Sequence, residues 1–127
     1  MMNDKLLTPA EMSRQCRCLR AQREARLLAR AYDAAFRDVG LTSGQFSILA
    51  ALNQPEPAPL TMLAQVLGLE RTTLTRNLRA IEGAKLVTSV ASRDQRVRAL
   101  QLTPAGVARL RAAMPLWRQV QADFAAA

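Results

Sequence analysis

The apolar periodicity of this chain changes once, at Leu86, and that change limits the folds open to it. Up to Leu86 the apolar residues recur at helical spacing. After it come two short β-branched or alternating stretches, Leu86 to Val90 and Arg96 to Leu102, around the polar tip Ser92-Arg93-Asp94-Gln95. Two such runs about a polar tip read as a β-hairpin. Thr103-Pro104 then opens a last helix, with Pro115 expected to kink it because its ring and missing N–H disturb the ladder. The chain is therefore mainly α with a small β-hairpin, and at 127 residues it suits a single domain over 1–127.

The helix starts are legible from cap chemistry. Thr8-Pro9-Ala10-Glu11 places a hydroxyl at the N-cap, proline at N1 and a carboxylate at N3, which predicts one long helix from there to about Val39, ended by Gly40. Thr42-Ser43-Gly44-Gln45 is a second capping box, opening a helix that carries Phe46, Ile48, Leu49 and Leu52. Pro55-Glu56-Pro57-Ala58-Pro59 cannot continue that helix and reads as a stiff surface loop. Thr61 is expected to cap a short helix through Leu67, Gly68 breaks it, and a further helix runs from about Arg71 to Gly83.

That last segment carries the chemistry. At about 100° per residue, Leu74, Leu78 and Ile81 form one apolar stripe. Arg76 lies opposite, flanked by Thr72 and Arg79 on one side and by Thr73 and Ala80 on the other, with Arg71 and Thr75 in the same helix. Alone, such a face would be an ordinary solvated surface. Here a short helix and a glycine turn precede it and a basic hairpin follows. An arginine can take guanine bidentately, and a threonine can contact phosphate or a thymine methyl. Arg93, Arg96 and Arg98 surround Asp94 in the hairpin, where a basic side chain can reach a narrow minor groove and Asp94 can orient Arg96 by a charge-assisted bond. The order helix, helix, helix, helix, hairpin, helix is that of a winged helix-turn-helix with N- and C-terminal helical extensions.

Composition agrees with an anionic partner. Eighteen Lys and Arg stand against ten Asp and Glu for a net charge of +8, and only Lys5 and Lys85 are lysines. Without any His, acid–base or metal chemistry would rest on ten carboxylates that form no recognisable catalytic set. No phosphate-cradling glycine motif or nucleophile elbow appears, so we expect no enzyme, no metal and no cofactor. No stretch approaches a membrane span or a secretory leader, and two cysteines cannot make a disulfide framework, so a cytoplasmic protein without membrane association is expected.

Three stretches, Gly40 to Leu52, Leu63 to Val87 and Ser92 to Gly106, resemble the MarR family of bacterial transcriptional regulators. Asp94-Gln95-Arg96 looks like that family's Asp-x-Arg wing tip, and Leu102-Thr103-Pro104-Ala105-Gly106 like its hairpin-to-helix junction. The resemblance implies a homodimer bound to double-stranded DNA at a pseudo-palindromic operator, probed by the recognition helix and wing. It implies a repressor relieved by a small molecule or an oxidant. An architectural DNA-binding protein without an effector is the alternative. On this reading 1–40 and 104–127 are dimerisation helices and 41–103 the DNA-binding lobe. Leu19, Leu27, Leu28, Leu110, Met114, Trp117 and Phe124 are apolar residues that a winged lobe alone would not need. A ligand pocket is expected near Tyr32, Phe36, Phe46 or Trp117.

Two departures stand out. Glu70 occupies the place before the recognition helix where the family commonly has Asp or Ser, a poorer cap that still suits the helix dipole. The family also usually continues with more helix past the position of Phe124, which implies a reduced interface or a truncated chain. Arg14, Arg17, Arg20, Arg23 and Arg26 recur every three residues and so wind around the first helix, making a poor DNA strip. In that helix Cys16 and Cys18 would point about 200° apart, which disfavours a bridge between them. Two readings stay open for them: small apolar packing residues at the dimer seam, or a redox sensor with Arg14, Arg17 and Arg20 stabilising a thiolate.

Overall fold

The computed structural model describes residues 5–91 and 98–126. Among these residues six α-helices and a three-stranded antiparallel sheet follow the sequence order: α1 (Pro9–Gln15), α2 (Arg17–Phe36), α3 (Ser43–Ala51), β1 (Ala58–Pro59), α4 (Leu60–Leu67), α5 (Arg71–Gly83), β2 (Val87–Val90), β3 (Ala99–Leu102) and α6 (Pro104–Ala126). A 3-10 turn at Arg37–Val39 extends α2 until Gly40, at φ 68°, ends it.

The expected single first helix is in fact two. Cys16 adopts an extended conformation, φ −82° and ψ 109°, and serves as C-cap of α1 and N-cap of α2. Its sulfur accepts a hydrogen bond from the Leu19 N–H at 3.4 Å, supplying the cap that an oxygen usually provides. The guanidinium of Arg20 reaches back across the break to the Arg14 carbonyl at 3.5 Å. At the start of α1 the Thr8 hydroxyl accepts from the Glu11 N–H at 3.2 Å and donates to its carboxylate at 3.0 Å. The second capping box is complete, with the Thr42 hydroxyl accepting from the Gln45 N–H and the Gln45 side chain accepting from the Thr42 N–H.

The proline loop also holds more order than expected. Ala58 pairs with Leu100 and Pro59 with Ala99, so β1 joins the hairpin as an edge strand and β3 is central, in the order β1-β3-β2. An edge is where a residue without an N–H fits. Pro59 is also the N-cap of α4, which starts at Leu60 and not after Thr61. Val87 to Val90 pair with Leu102 to Ala99, with Leu86 and Arg98 outside the strands. The helix of α6 continues unbroken through Pro115.

One core joins these elements. Phe36, Ile48, Leu49, Leu74, Leu78 and Leu100 are fully buried. Leu110 and Ala113 of α6 join the same cluster, with Met114 and Trp117 packed against it. Two polar bonds fix the long helices: the Asp33 carboxylate of α2 accepts from the Ser43 N–H at the start of α3 at 2.6 Å, and the Arg109 guanidinium of α6 donates to the Val39 carbonyl in the 3-10 turn that ends α2 at 3.0 Å. Leu6, Leu7, Met12, Leu19, Leu27 and Phe124 remain exposed.

Candidate nucleic-acid interface

The turn between α4 and α5 is built by Gly68, whose φ of 66° closes α4. Glu70 then caps α5 through its backbone alone: the Leu74 N–H donates to the Glu70 carbonyl at 3.0 Å, and no side-chain cap bond forms. Leu74, Leu78 and Ile81 are buried at 0, 0 and 2% exposure, as the periodicity requires. They pin one side of α5 against α3 and α4 and so fix which residues face outward.

Arg71, Thr72, Arg76 and Arg79 are exposed on that outer side, and Thr73 and Thr75 are half-buried. Arg71, Thr72, Thr75, Arg76 and Arg79 together line a shallow concavity. The Thr75 hydroxyl donates to the Arg71 carbonyl at 2.8 Å, which leaves its oxygen to an incoming group only as an acceptor. Four of the expected contact residues thus share an open, basic surface, Thr75 joins them at its edge, and Thr73 lies off it.

The hairpin residues divide. Arg93, Asp94 and Arg96 lie outside the described residues. Arg98 is described, and it is engaged within the lobe. Its Nη2 lies 2.5 Å from both carboxylate oxygens of Glu82, its Nε donates to the Ser89 hydroxyl at 2.9 Å, and its carbonyl accepts from the Leu60 N–H at 2.9 Å. Sequence reasoning missed Glu82, although a signal was present. A carboxylate in the last turn of a helix opposes the macrodipole and calls for a cation nearby.

The aromatic residues expected around a ligand are packed on one another. Phe36 stacks on Phe46 with ring centroids 4.6 Å apart, and Tyr32 lies 5.8 Å from Phe36. Phe36 and Phe46 are core residues, 0 and 8% exposed. Tyr32 and Trp117 sit half-buried at the margin of that core, and the Tyr32 hydroxyl donates to the Gln121 side chain on α6. Both cysteines are free thiols, Cys16 half-buried and Cys18 exposed. Because Cys16 lies outside any helix, the expectation that the two sulfurs face apart on one helix does not hold. Among the described residues no helix is long and apolar enough to cross a membrane.

The MarR family model matches residues 41–97, the stretch from α3 to the hairpin. The M. tuberculosis transcriptional regulator MosR, solved in complex with DNA, is 44% identical, with a TM-score of 0.82 over 89% of this chain and 83% of that one. The chain belongs to the MarR family. A second MarR-type structure, the transcriptional repressor CouR bound to a 23-mer DNA duplex, is 28% identical with a TM-score of 0.77, covering 94% of this chain and 84% of that one. BpsR of Bordetella bronchiseptica, whose DNA binding is regulated by 6-hydroxynicotinic acid, shares the fold at 22% identity and a TM-score of 0.78, over 91% and 83% of the two chains. No match is found among curated proteins. In this MarR-family fold, α4 and α5 form the helix-turn-helix and β2 and β3 the base of the wing.

Proposed function

We propose that this MarR-family regulator binds double-stranded DNA sequence-specifically as a homodimer, acts as a repressor at a pseudo-palindromic operator, and is released by a small ligand or by thiol oxidation. The observation that carries this reading is the outer face of α5, where Arg71, Thr72, Arg76 and Arg79 are exposed opposite a fully buried stripe. The DNA-bound forms of MosR and CouR support it. Arg76 reads a base edge, and the remaining arginines and the threonine hydroxyls hold phosphates. Arg93 and Arg96 of the wing reach backbone or minor groove, with Asp94 orienting Arg96.

Residues 1–40 and 104–127 form the dimer region and 41–103 the DNA-binding lobe. The exposed Leu6, Leu7, Met12, Leu19 and Leu27 at the N-terminal end and Phe124 at the other support that division. Two recognition helices then sit about one DNA turn, roughly 34–36 Å, apart. Sedimentation is expected to give a dimer at micromolar concentration, and a monomer there would count against it. An organic effector enters beside Tyr32 and Trp117, with Phe36 and Phe46 as the wall behind them.

For oxidation, Cys16 is the better placed sulfur, since it caps α2 and sits at the only break between α1 and α2. Peroxide would convert the thiol to a sulfenic acid with release of water, and a further thiol would condense with it to a disulfide with release of a second water. That thiol could be Cys18, one from the partner subunit or a small thiol, and peptide mass spectrometry distinguishes them. The deciding experiment is selection of bound duplexes from random DNA, with and without peroxide. A short palindrome enriched under reducing conditions and lost under oxidation is the expected result. Equal binding to all sequences would assign the chain an architectural role.

A further inference from the structure

We propose that Arg98 is a positioning residue of the DNA-binding lobe, clamping the wing to the end of the recognition helix through Glu82, and does not itself hold DNA. The proposal rests on the DNA-binding reading above and refines how the lobe is held for it. Three contacts converge on this one residue. Both oxygens of the Glu82 carboxylate, in the last turn of α5, meet its guanidinium at 2.5 Å. The Ser89 hydroxyl on β2 accepts from its Nε at 2.9 Å. Its carbonyl takes the Leu60 N–H at the start of α4, also at 2.9 Å.

Arg98 therefore touches the first helix of the helix-turn-helix, the recognition helix and the facing wing strand. It stands immediately before β3 and thus at the root of the wing. A guanidinium already facing a carboxylate and a hydroxyl has fewer donors left for a phosphate. The same carboxylate near DNA would only repel phosphate unless it had this task. The pair is partly open, with side-chain exposures of 37% for Arg98 and 26% for Glu82, so its effect on affinity should be moderate.

The test is a double-mutant cycle on the full chain, read by fluorescence anisotropy with the selected duplex and with random DNA. Glu82→Ala raises the net positive charge by one, so simple electrostatics predicts tighter binding. The clamp predicts the opposite sign, a loss of about two- to fivefold, the range that one exposed ion pair supplies. Arg98→Ala should cost a similar factor alone and little more in the Glu82→Ala background. Glu82→Gln, which keeps the volume and one acceptor, should fall between. Binding by Glu82→Ala as tight as the unsubstituted chain, or equal costs of Arg98→Ala in both backgrounds, overturns the clamp. Amide exchange of Val87–Val90 and Ala99–Leu102 tests it without DNA, and protection unchanged in Glu82→Ala also overturns it. Failure of the unsubstituted chain to prefer the selected duplex would overturn the DNA-binding reading instead.

Discussion

Replacing Gly106 by Ala should destabilise this protein, against the usual sign for a helical glycine. Within a helix the exchange normally stabilises by about 0.5–1 kcal/mol, because glycine loses more backbone entropy on folding. Gly106, however, is buried in the first turn of α6 where that helix crosses Leu86. A Cβ added there would lie 2.0 Å from the Leu86 carbonyl oxygen and 3.0 Å from its carbon. Carbon and oxygen meet at about 3.3 Å or more, so the backbones must part by more than about 1 Å. The same Leu86 carbonyl accepts the Thr103 N–H at 3.0 Å, and the Thr103 hydroxyl donates to the Lys85 carbonyl at 2.6 Å. Parting them loosens the junction between α5, the wing and α6. Forced packing costs about 1–3 kcal/mol, and a weakened hydrogen bond adds about 0.5–1.5. After the helix gain is subtracted, a net loss of about 2–3 kcal/mol is expected, or a fall in Tm on the order of 10 °C. Thermal melts followed by circular dichroism, at equal protomer concentration, measure it. Gly83→Ala is the control, because nothing lies within 4 Å of its added Cβ. It should be neutral or slightly stabilising. A Gly106→Ala protein as stable as the unsubstituted chain would refute the reasoning.

Arg76→Ala should cost about 1–3 kcal/mol on the selected operator and less on random duplex, and equal losses in anisotropy titrations would remove Arg76 from base readout. Asp94→Ala should weaken binding although it makes the protein more positive; tighter binding with an intact circular dichroism spectrum would refute an orienting role for Asp94. Lys85 holds a left-handed conformation at φ 61° after α5, so Lys85→Gly should stabilise by about 1 kcal/mol, read from urea midpoints; no gain would mean that its side-chain contacts outweigh the backbone cost. The double variant Cys16→Ser, Cys18→Ser should bind the operator normally and ignore peroxide, since serine supplies a cap oxygen where Cys16 supplies sulfur. Peroxide sensitivity retained in that variant would move the sensor away from both cysteines.

What was legible in the sequence was the chemistry of short range. Thr42 and Gln45 satisfy each other three residues apart, and Gly40 and Gly68 end helices where a left-handed residue is required, so these boundaries could be read directly. The stripe of Leu74, Leu78 and Ile81 likewise fixed which side of α5 faces outward. The break at Cys16 was not legible, because no proline or glycine marks it and its cap is a sulfur. Strand β1 could not be read from Ala58-Pro59 either. One alanine between two prolines carries no period, and Ala58-Pro59 becomes a strand only because β3 offers it an edge. The basic neighbours of Arg98 suggest a DNA contact and give no sign of its carboxylate partner, which lies sixteen residues earlier. Pairing at that distance is decided by the packing of α5 on β2, which local pattern does not contain.

The break at Cys16 also shows how a change at the proposed dimer seam could reach the recognition helix. From Cys16 to Asp33 α2 spans about 25 Å at 1.5 Å per residue. Cys16 caps one end of it, and near the other the Asp33 carboxylate holds the first N–H of α3 at 2.6 Å. Tyr32, one residue earlier, bonds Gln121 on α6, so the far end of α2 is tied both to the lobe and to the last helix. A helix restrained in this way tilts more readily than it bends. A tilt of roughly 5° about its capped end moves a point 25 Å away by about 2 Å. In a dimer the two lobes would move together, doubling the change in half-site spacing. Recognition helices that must enter successive major grooves about 34 Å apart tolerate little of that. If oxidation at the cap tilts α2 in this way, release of DNA would need no unfolding of the lobe. On the proposed oxidation reading, such a lever would let a change at Cys16 reach α5 while the buried stripe beneath Arg76 stays intact.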